Sequence, residues 1–433
     1  MIKLNNGKGI NSWFFIPTLY LTEGIPFIIV NQLSIALLKS LGVSNAVIGY
    51  TNLLYLPWAI KFLWGPIVDS RSTKRGWLLS MQLTITVLFG LEAITLGIES
   101  TILPFIALLF IIAFASATHD IAIDGYYLYA LNKEDQALFT GIRSAFYRVA
   151  MIFSGGILVF LAGEVGTKYN NTRFGWEVAF ILAFMIFLIF RIYHGFLLPK
   201  VEESRKGKSI IKLPFKATFF EYFKQDGIGV ILAFILLYRF GEALLLRMAQ
   251  PFLMDQYAVG GLNISVSEIG VIYGTFGIVA LVIGGILGGW IIKKYGLRRT
   301  IFPLALAMNA CNLLYAILAI MQPQGRIPIE VFGLSFNFYP LVQSFVIIEQ
   351  FGYGLGFTAF MVFLLYTSKG QYKTSHYAIS TGMMAFGMII PGAVSGVLQE
   401  NVGYFWLFII STIVTIPGLF LIKYLPIPET KKE

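Results

Sequence analysis

Apolar runs of more than ~18 residues recur along this chain from Trp13 to Leu425. A run of that length crosses the hydrocarbon core of a bilayer as a helix. Water is absent there, so every backbone N–H and C=O must be satisfied within the segment, and the helix meets that demand. The chain is thereby restricted to an all-α polytopic membrane protein. Composition agrees. Of 433 residues, 57% are hydrophobic and 12% charged, against about 25% charged in soluble domains.

Twelve spans are predicted, at 13–38, 46–68, 77–98, 102–130, 137–162, 176–198, 228–254, 267–292, 299–321, 340–367, 375–398 and 403–425. The net charge of +10 is concentrated in the loops joining even to odd spans, among them Arg71, Lys74, Arg75, Lys133, Lys293, Lys294, Arg298, Arg299, Lys369 and Lys373. That placement sets membrane orientation and puts both termini in the cytoplasm; it does not describe a nucleic-acid surface. The polar N-terminus MIKLNNGKGINSW reads as a cytoplasmic lead-in, not a cleaved signal. Cys311 is the single cysteine, so no intrachain disulfide forms.

The longest polar segment, Pro199 to Gln225, divides the chain nearly in half. GPIVDSRSTKRG follows span two and GGWIIKKYGLRR follows span eight, so one small-residue helix end and basic loop recurs in each half. Parallel six-span repeats carry their substrate site between the halves near the midplane. The expected organisation is a six-helix bundle at 1–198, a cytoplasmic linker at 199–226 and a second bundle at 227–433, working as a monomer. Gly284, Gly285, Gly288 and Gly289, with Gly155, Gly156, Gly352, Gly354 and Gly356, read as close helix-packing seams.

Charges inside spans are costly and mark function or buried pairing. Those here are Glu23, Lys61, Glu92, His119, Asp120, Asp124, Arg143, Arg148, Arg191, Arg239, Glu242, Arg247 and Glu349. Asp120 and Asp124 share one helix face about a turn apart. Two like charges so placed suit a proton carrier. His119 points elsewhere and reads as a hydrogen-bonded packing residue, Glu92 as wetted at the outer end of span three, and Lys61 and Arg143 as snorkelling residues or parts of a cytoplasmic gate. Arg239 and Glu242, three apart, can form a local ion pair. Tyr126, Tyr127, Tyr129 and Tyr147 flank the acidic face and could stack on sugar rings. No metalloprotease, nucleotide-binding or cysteine-pair signature is present, so no cofactor, metal or enzyme activity is expected and the energy source is an ion or solute gradient.

LYLTEGIPF, LPWAIKFLWGPIVDS, ATHDIAIDGY and GIRSAFYRVAMIFSGG resemble helix 1, 2–3, 4 and 5 motifs of the AmpG-type permeases, a branch of the major facilitator superfamily related to acetyl-CoA transporters. LLYRFGEAL, SEIGVIYGTFGIVALVIGGILGG and EQFGYGLGFTAF resemble its helix 7, 8 and 10 segments. The resemblance implies a major facilitator fold of two six-helix bundles and proton-driven import of anhydro-muropeptides across a bacterial inner membrane. It places family positions at Lys61, Asp69, Asp120, Asp124, Arg148, Arg239, Glu242 and Glu349. His119 stands where the family commonly has Gln, and Arg239 and Glu242 where Lys and Asp are common. On this reading Asp120, Asp124 and Glu349 handle the proton. Arg148, Arg239, Glu242, Tyr127 and Glu23 contact substrate, and Lys61, Asp69 and Arg75 latch the cytoplasmic side. The partners are a small sugar-containing solute, protons and membrane lipid. Alternatives are a transporter of the same fold for acetyl-CoA or an oligosaccharide, and a membrane-embedded acyltransferase using His119.

Overall fold

A computed structural model of the chain describes residues 11–98, 102–200, 220–331, 334–368 and 373–427. Most of the expected linker, Lys369, the first ten residues, and the side chains of Asp69 and Lys133 lie outside the described residues.

Among the described residues, ten helices are long and apolar enough to cross a membrane. They are α1 (Ser12–Ser40), α3 (Lys74–Gly97), α4 (Ile102–Ala130), α5 (Leu138–Lys168), α6 (Thr172–Leu197), α7 (Ile228–Met254), α8 (Val266–Tyr295), α9 (Leu297–Met321), α10 (Pro340–Thr367) and a last one, His376–Tyr424. The last bends sharply at Gly403, whose φ of 78° lies where only glycine sits without strain. It is therefore two crossings, α11 (376–402) and α12 (404–424). The segment 45–71, α2, is an apolar crossing of another kind, assembled from short α and 3-10 turns. Pro57 and Pro66 each open one of its α pieces. Proline lacks an N–H and clashes with the carbonyl four residues back, so an unbroken helix cannot run through either. Twelve crossing segments result, as the apolar runs predict.

Short loops begin the next helix with a side-chain cap. Ser44, Thr73 and Asn171 accept from Val47, Gly76 and Phe174 N–H groups, and Ser265 with Glu268 forms a capping box. The same pairings occur in each half: α3 packs on α4 and α6, while α9 packs on α10 and, through Tyr315 against Phe408, on α12. Gly284 and Gly354 sit where α8 and α10 touch backbone to backbone, in keeping with the packing-seam reading.

Between α9 and α10 the spans predict a loop. The chain instead forms an antiparallel hairpin, β1 (Ile327–Val331) and β2 (Leu334–Phe338), with Ile327 opposite Phe338. LSFNF alternates apolar and polar residues with the period of a strand. Asn337 ties the hairpin down, its backbone N–H and Nδ2 donating to Glu268 Oε1 at 3.0 and 2.8 Å.

Candidate functional site

The halves are joined at the end of the molecule that carries the α1–α2 loop. Lys39 Nζ lies 2.6 Å from Asp255 Oδ1 on α7's C-terminal side. Asn45 Nδ2 donates to Gln399 Oε1 (2.6 Å) and Tyr404 OH (2.8 Å), and Tyr404 donates to Asp255 Oδ2 (2.6 Å). The backbones of α2 and α11 touch beneath this network, where a Cβ on Gly396 would overlap the carbonyl of Asn45. On the opposite flank α5 meets α8.

Each of the helices α1, α5 and α8 contains a π turn, at Ile29–Leu33, Ile152–Ile157 and Ile272–Gly277. Such turns loosen the backbone hydrogen-bond ladder and are frequent at functional sites. Here a carbonyl of one π turn has a partner across the seam. Arg247 on α7 reaches across the seam and donates to Asn31 O within the α1 π turn (3.1 Å), to Ile48 O at the first break in α2 (3.0 Å), and to Thr51 Oγ1.

Beyond the seam lies a cavity of about 270 Å³ between the halves, lined by Asn31, Asn52, Arg148, Arg239, Arg247 and Tyr353 among others. The three guanidiniums differ in their partners. Arg239 is held by both Glu242 oxygens, at 2.9 and 2.6 Å, and donates to Tyr353 OH at 2.8 Å. Arg148 donates to the neutral Met151 Sδ at 3.3 Å, and Arg247 to neutral oxygens. Among the described residues neither of these two has a carboxylate partner, so the cavity wall carries two cations without paired acids. A planar, five-donor guanidinium is suited to carboxylate or phosphate.

A second cavity, of about 440 Å³, adjoins the first through Phe27, Tyr55, Tyr147 and Met384 and is lined by Glu23, Lys61 and Asp120. Here α1, α2, α4 and α5 bring charges together. Lys61 Nζ pairs with Asp120 Oδ2. Arg143 Nη2 lies 2.6 Å from Asp124 Oδ1, which also accepts from Tyr20 OH at 3.0 Å. The Arg143 guanidinium lies 4.3 Å from the Tyr20 ring centroid and 4.6 Å from that of Tyr127. One oxygen of each of Glu23, Asp120 and Asp124 lies within 4.8 Å of the other two.

Several expectations are corrected. Asp120 and Asp124 are not an unpaired acidic face: their partners are Lys61 and Arg143 within the first half. Arg143 does not snorkel, because Asp124 and two aromatic faces hold it. Glu349 is buried on α10, where it accepts from Gln350 Nε2 (2.9 Å) and Tyr315 OH (3.5 Å), and it lines neither cavity. Glu242 also stands behind the central cavity, orienting Arg239. Tyr127 is buried and donates to Gln136 O, so of the four tyrosines near the acidic face Tyr147 is the one that lines a cavity. Arg75 donates to Gly195 O and Leu198 O, closing the end of α6 in its own half. Asp69 is on a described helix but its side chain is outside the described residues. Glu92 is fully buried, not wetted. His119 is buried and, among the described residues, has no hydrogen-bond partner on either ring nitrogen. The Arg239–Glu242 pair forms as its spacing allows.

Residue spacing missed Arg247, Tyr20 and Asn31 as parts of these sites. Arg247 carried a signal, an arginine deep in an apolar run; Tyr20 and Asn31 carried none, since their partners are over a hundred residues away.

Twelve crossing segments in two halves, enclosing a charged cavity closed at one end, define a polytopic membrane carrier. The chain belongs to the Major Facilitator Superfamily, whose sequence profile matches residues 13–325 and 239–433. It is 26% identical over 381 residues to the anhydromuropeptide permease of Escherichia coli (strain K12), covering 87% of this chain and 72% of that one. It is 24% identical over 425 residues to a putative transporter, AmpG 4, of Rickettsia felis (strain ATCC VR-1525 / URRWXCal2), covering 95% and 96%. Among solved structures, the D-xylose-proton symporter superposes with a TM-score of 0.68 at 13% identity, covering 96% of this chain and 98% of that one. The nucleoside transporter NupG gives 0.68 at 14% identity, covering 94% and 97%. The protein is a multi-pass membrane transporter of a small-molecule substrate, not an enzyme.

Proposed function

We propose that the chain imports anhydro-muropeptides across a bacterial inner membrane, driven by protons, through alternating access of one cavity to the two sides. The observation that carries this reading is the central cavity, where Arg148 and Arg247 have no paired acid and Arg239 is presented by Glu242. A peptide-bearing sugar with carboxylates matches that wall. Likeness over most of the chain to a permease named for anhydro-muropeptide supports the cargo. The carboxylate cluster in the adjoining cavity supports proton coupling, since acids beside a transport path commonly serve as proton relays.

With the basic loops in the cytoplasm, both termini are cytoplasmic and the Lys39–Asp255 seam closes the periplasmic end, so the cavities face inward. Arg148 and Arg239 bind the substrate's carboxylates. The carboxylate cluster shared by α1 and α4 exchanges the proton. Release of the seam and closure at the other end would then turn the cavity outward.

Proteoliposomes holding the full chain test this with labelled anhydro-muropeptide and an imposed pH gradient. Accumulation that follows the gradient is expected. No uptake at all would overturn the cargo, and accumulation indifferent to the gradient would overturn proton coupling.

A further inference from the structure

The carboxylate cluster contains one more acid than it has cations. Asp120 is paired with Lys61, and Asp124 with Arg143 and Tyr20. Glu23 completes the trio, yet its Oε2 is shielded from solvent and, among the described residues, has no hydrogen-bond partner. The groups facing Glu23 are Asp120 and Asp124 of α4, Lys61 of α2, Arg143 and Tyr147 of α5, and Tyr20 of its own helix. Both cations are already committed, and the two tyrosines are neutral. With all three acids ionised the cluster carries one surplus negative charge, located on the carboxylate that lacks a donor. Burying an unpaired carboxylate costs several kcal/mol, and the like charges beside it add to the cost. One proton removes both.

We propose that the transported proton is held by Glu23, and that Asp120 and Asp124 are fixed counter-charges for Lys61 and Arg143. The inference rests on the proton-coupled reading above and assigns its proton to an atom. The Glu23 carboxylate takes one H+ from water in the 440 Å³ cavity that it lines and returns it to water on release; no other bond forms or breaks. Protonated, the cluster is neutral and can be sealed from water while the halves move. Ionised, Glu23 must stay wet or draw Lys61 or Arg143 from its aspartate, which opposes closure. That difference couples the proton to the movement of the halves.

Infrared spectra of the full-length protein in H2O and D2O test the assignment without any transported solute. The wild type should show a protonated-carboxyl band at neutral pH that shifts on deuteration. One component of it should vanish in Glu23→Gln and, in the wild type, should move to lower frequency when glutamate but not aspartate carboxyls carry 13C. In proteoliposomes Glu23→Gln should lose gradient-driven accumulation, which for one proton is about tenfold per pH unit. Glu23→Asp should restore both the accumulation and a band at a shifted frequency, which separates lost chemistry from lost folding. An unchanged band in Glu23→Gln, a component that moves with 13C-aspartate instead of 13C-glutamate, or its loss on adding sodium at constant pH would overturn the assignment. Because the spectrum needs no substrate, a failure of muropeptide uptake alone counts against the cargo and leaves Glu23 to be judged by its band.

Discussion

Arg148, Arg239 and Arg247 are the same residue type on the wall of one cavity, and their different partners give them different consequences on substitution. Arg239 and Glu242 are a buried, two-pronged pair. Removing one member leaves an uncompensated charge, so Glu242→Gln should destabilise the protein by roughly 3–5 kcal/mol. Thermal unfolding in detergent reads this, and a melting temperature equal to wild type would show that the pair is not holding α7. Arg148 has no acid to abandon. Arg148→Gln should therefore leave the melting temperature nearly unchanged while raising the half-saturating substrate concentration. The loss of a charge-assisted hydrogen bond, ~1.5–3 kcal/mol, corresponds to roughly ten- to a hundredfold. Unaltered half-saturation would remove Arg148 from the binding wall. At this scale sequence reading found the charges and little of their pairing. Arg239 with Glu242 was legible because helical spacing alone brings them together. Asp124 with Arg143 was not, because that contact depends on how α4 and α5 lie against each other.

Elements that depart from regular helix concentrate at the seam between the halves. The α1 π turn and the first break in α2 supply the carbonyls that hold Arg247. Pro57 and Pro66 account for the later breaks in α2, whereas nothing in the sequence of Ile29–Leu33 announces a π turn. The α5 π turn packs against it, and Arg247 of α7 donates to its Asn31 carbonyl. The close approach of α2 to α11 supplies a test at this scale. Gly396→Val would place a methyl-bearing Cβ on the Asn45 carbonyl and force the helices apart. Overpacking of this kind costs typically 1–3 kcal/mol. A lowered melting temperature and reduced uptake are expected, with Gly396→Ala intermediate. A Gly396→Val protein as stable and active as wild type would mean that α2 and α11 do not need to touch.

For the molecule as a whole, the Lys39–Asp255 pair, braced by Asn45, Tyr404 and Gln399, is what holds this end shut. Asp255→Lys should weaken the closed end, speeding labelling of a cysteine introduced into the central cavity by a reagent confined to the outside. The exchanged pair Lys39→Asp with Asp255→Lys should recover part of the protection, since neighbouring residues in one network are coupled. Equal labelling rates in wild type, single and double variants would show that the pair does not set the equilibrium between the closed and open ends. An orientation test accompanies it: reagents admitted from the cytoplasmic side should reach Lys61→Cys in the wild-type background, and access solely from outside would reverse the orientation.

What the sequence determined by itself was the solvent of the fold and the number of crossings. Apolar run length answers to bilayer thickness, a constraint that acts on each segment without reference to the others. It also placed costly charges within those runs, since hydrocarbon makes any ionised group conspicuous. Only the tertiary structure decided which charge meets which. Lys61 with Asp120, Arg143 with Asp124 and Arg247 with the α1 and α2 backbones are contacts between helices whose rotation and depth come from packing. From spacing alone Asp120 and Asp124 stood out as two unpaired acids on one helix face. Once each has its cation, the acid without a partner is Glu23, on a different helix, and no periodicity within a single segment could have revealed that.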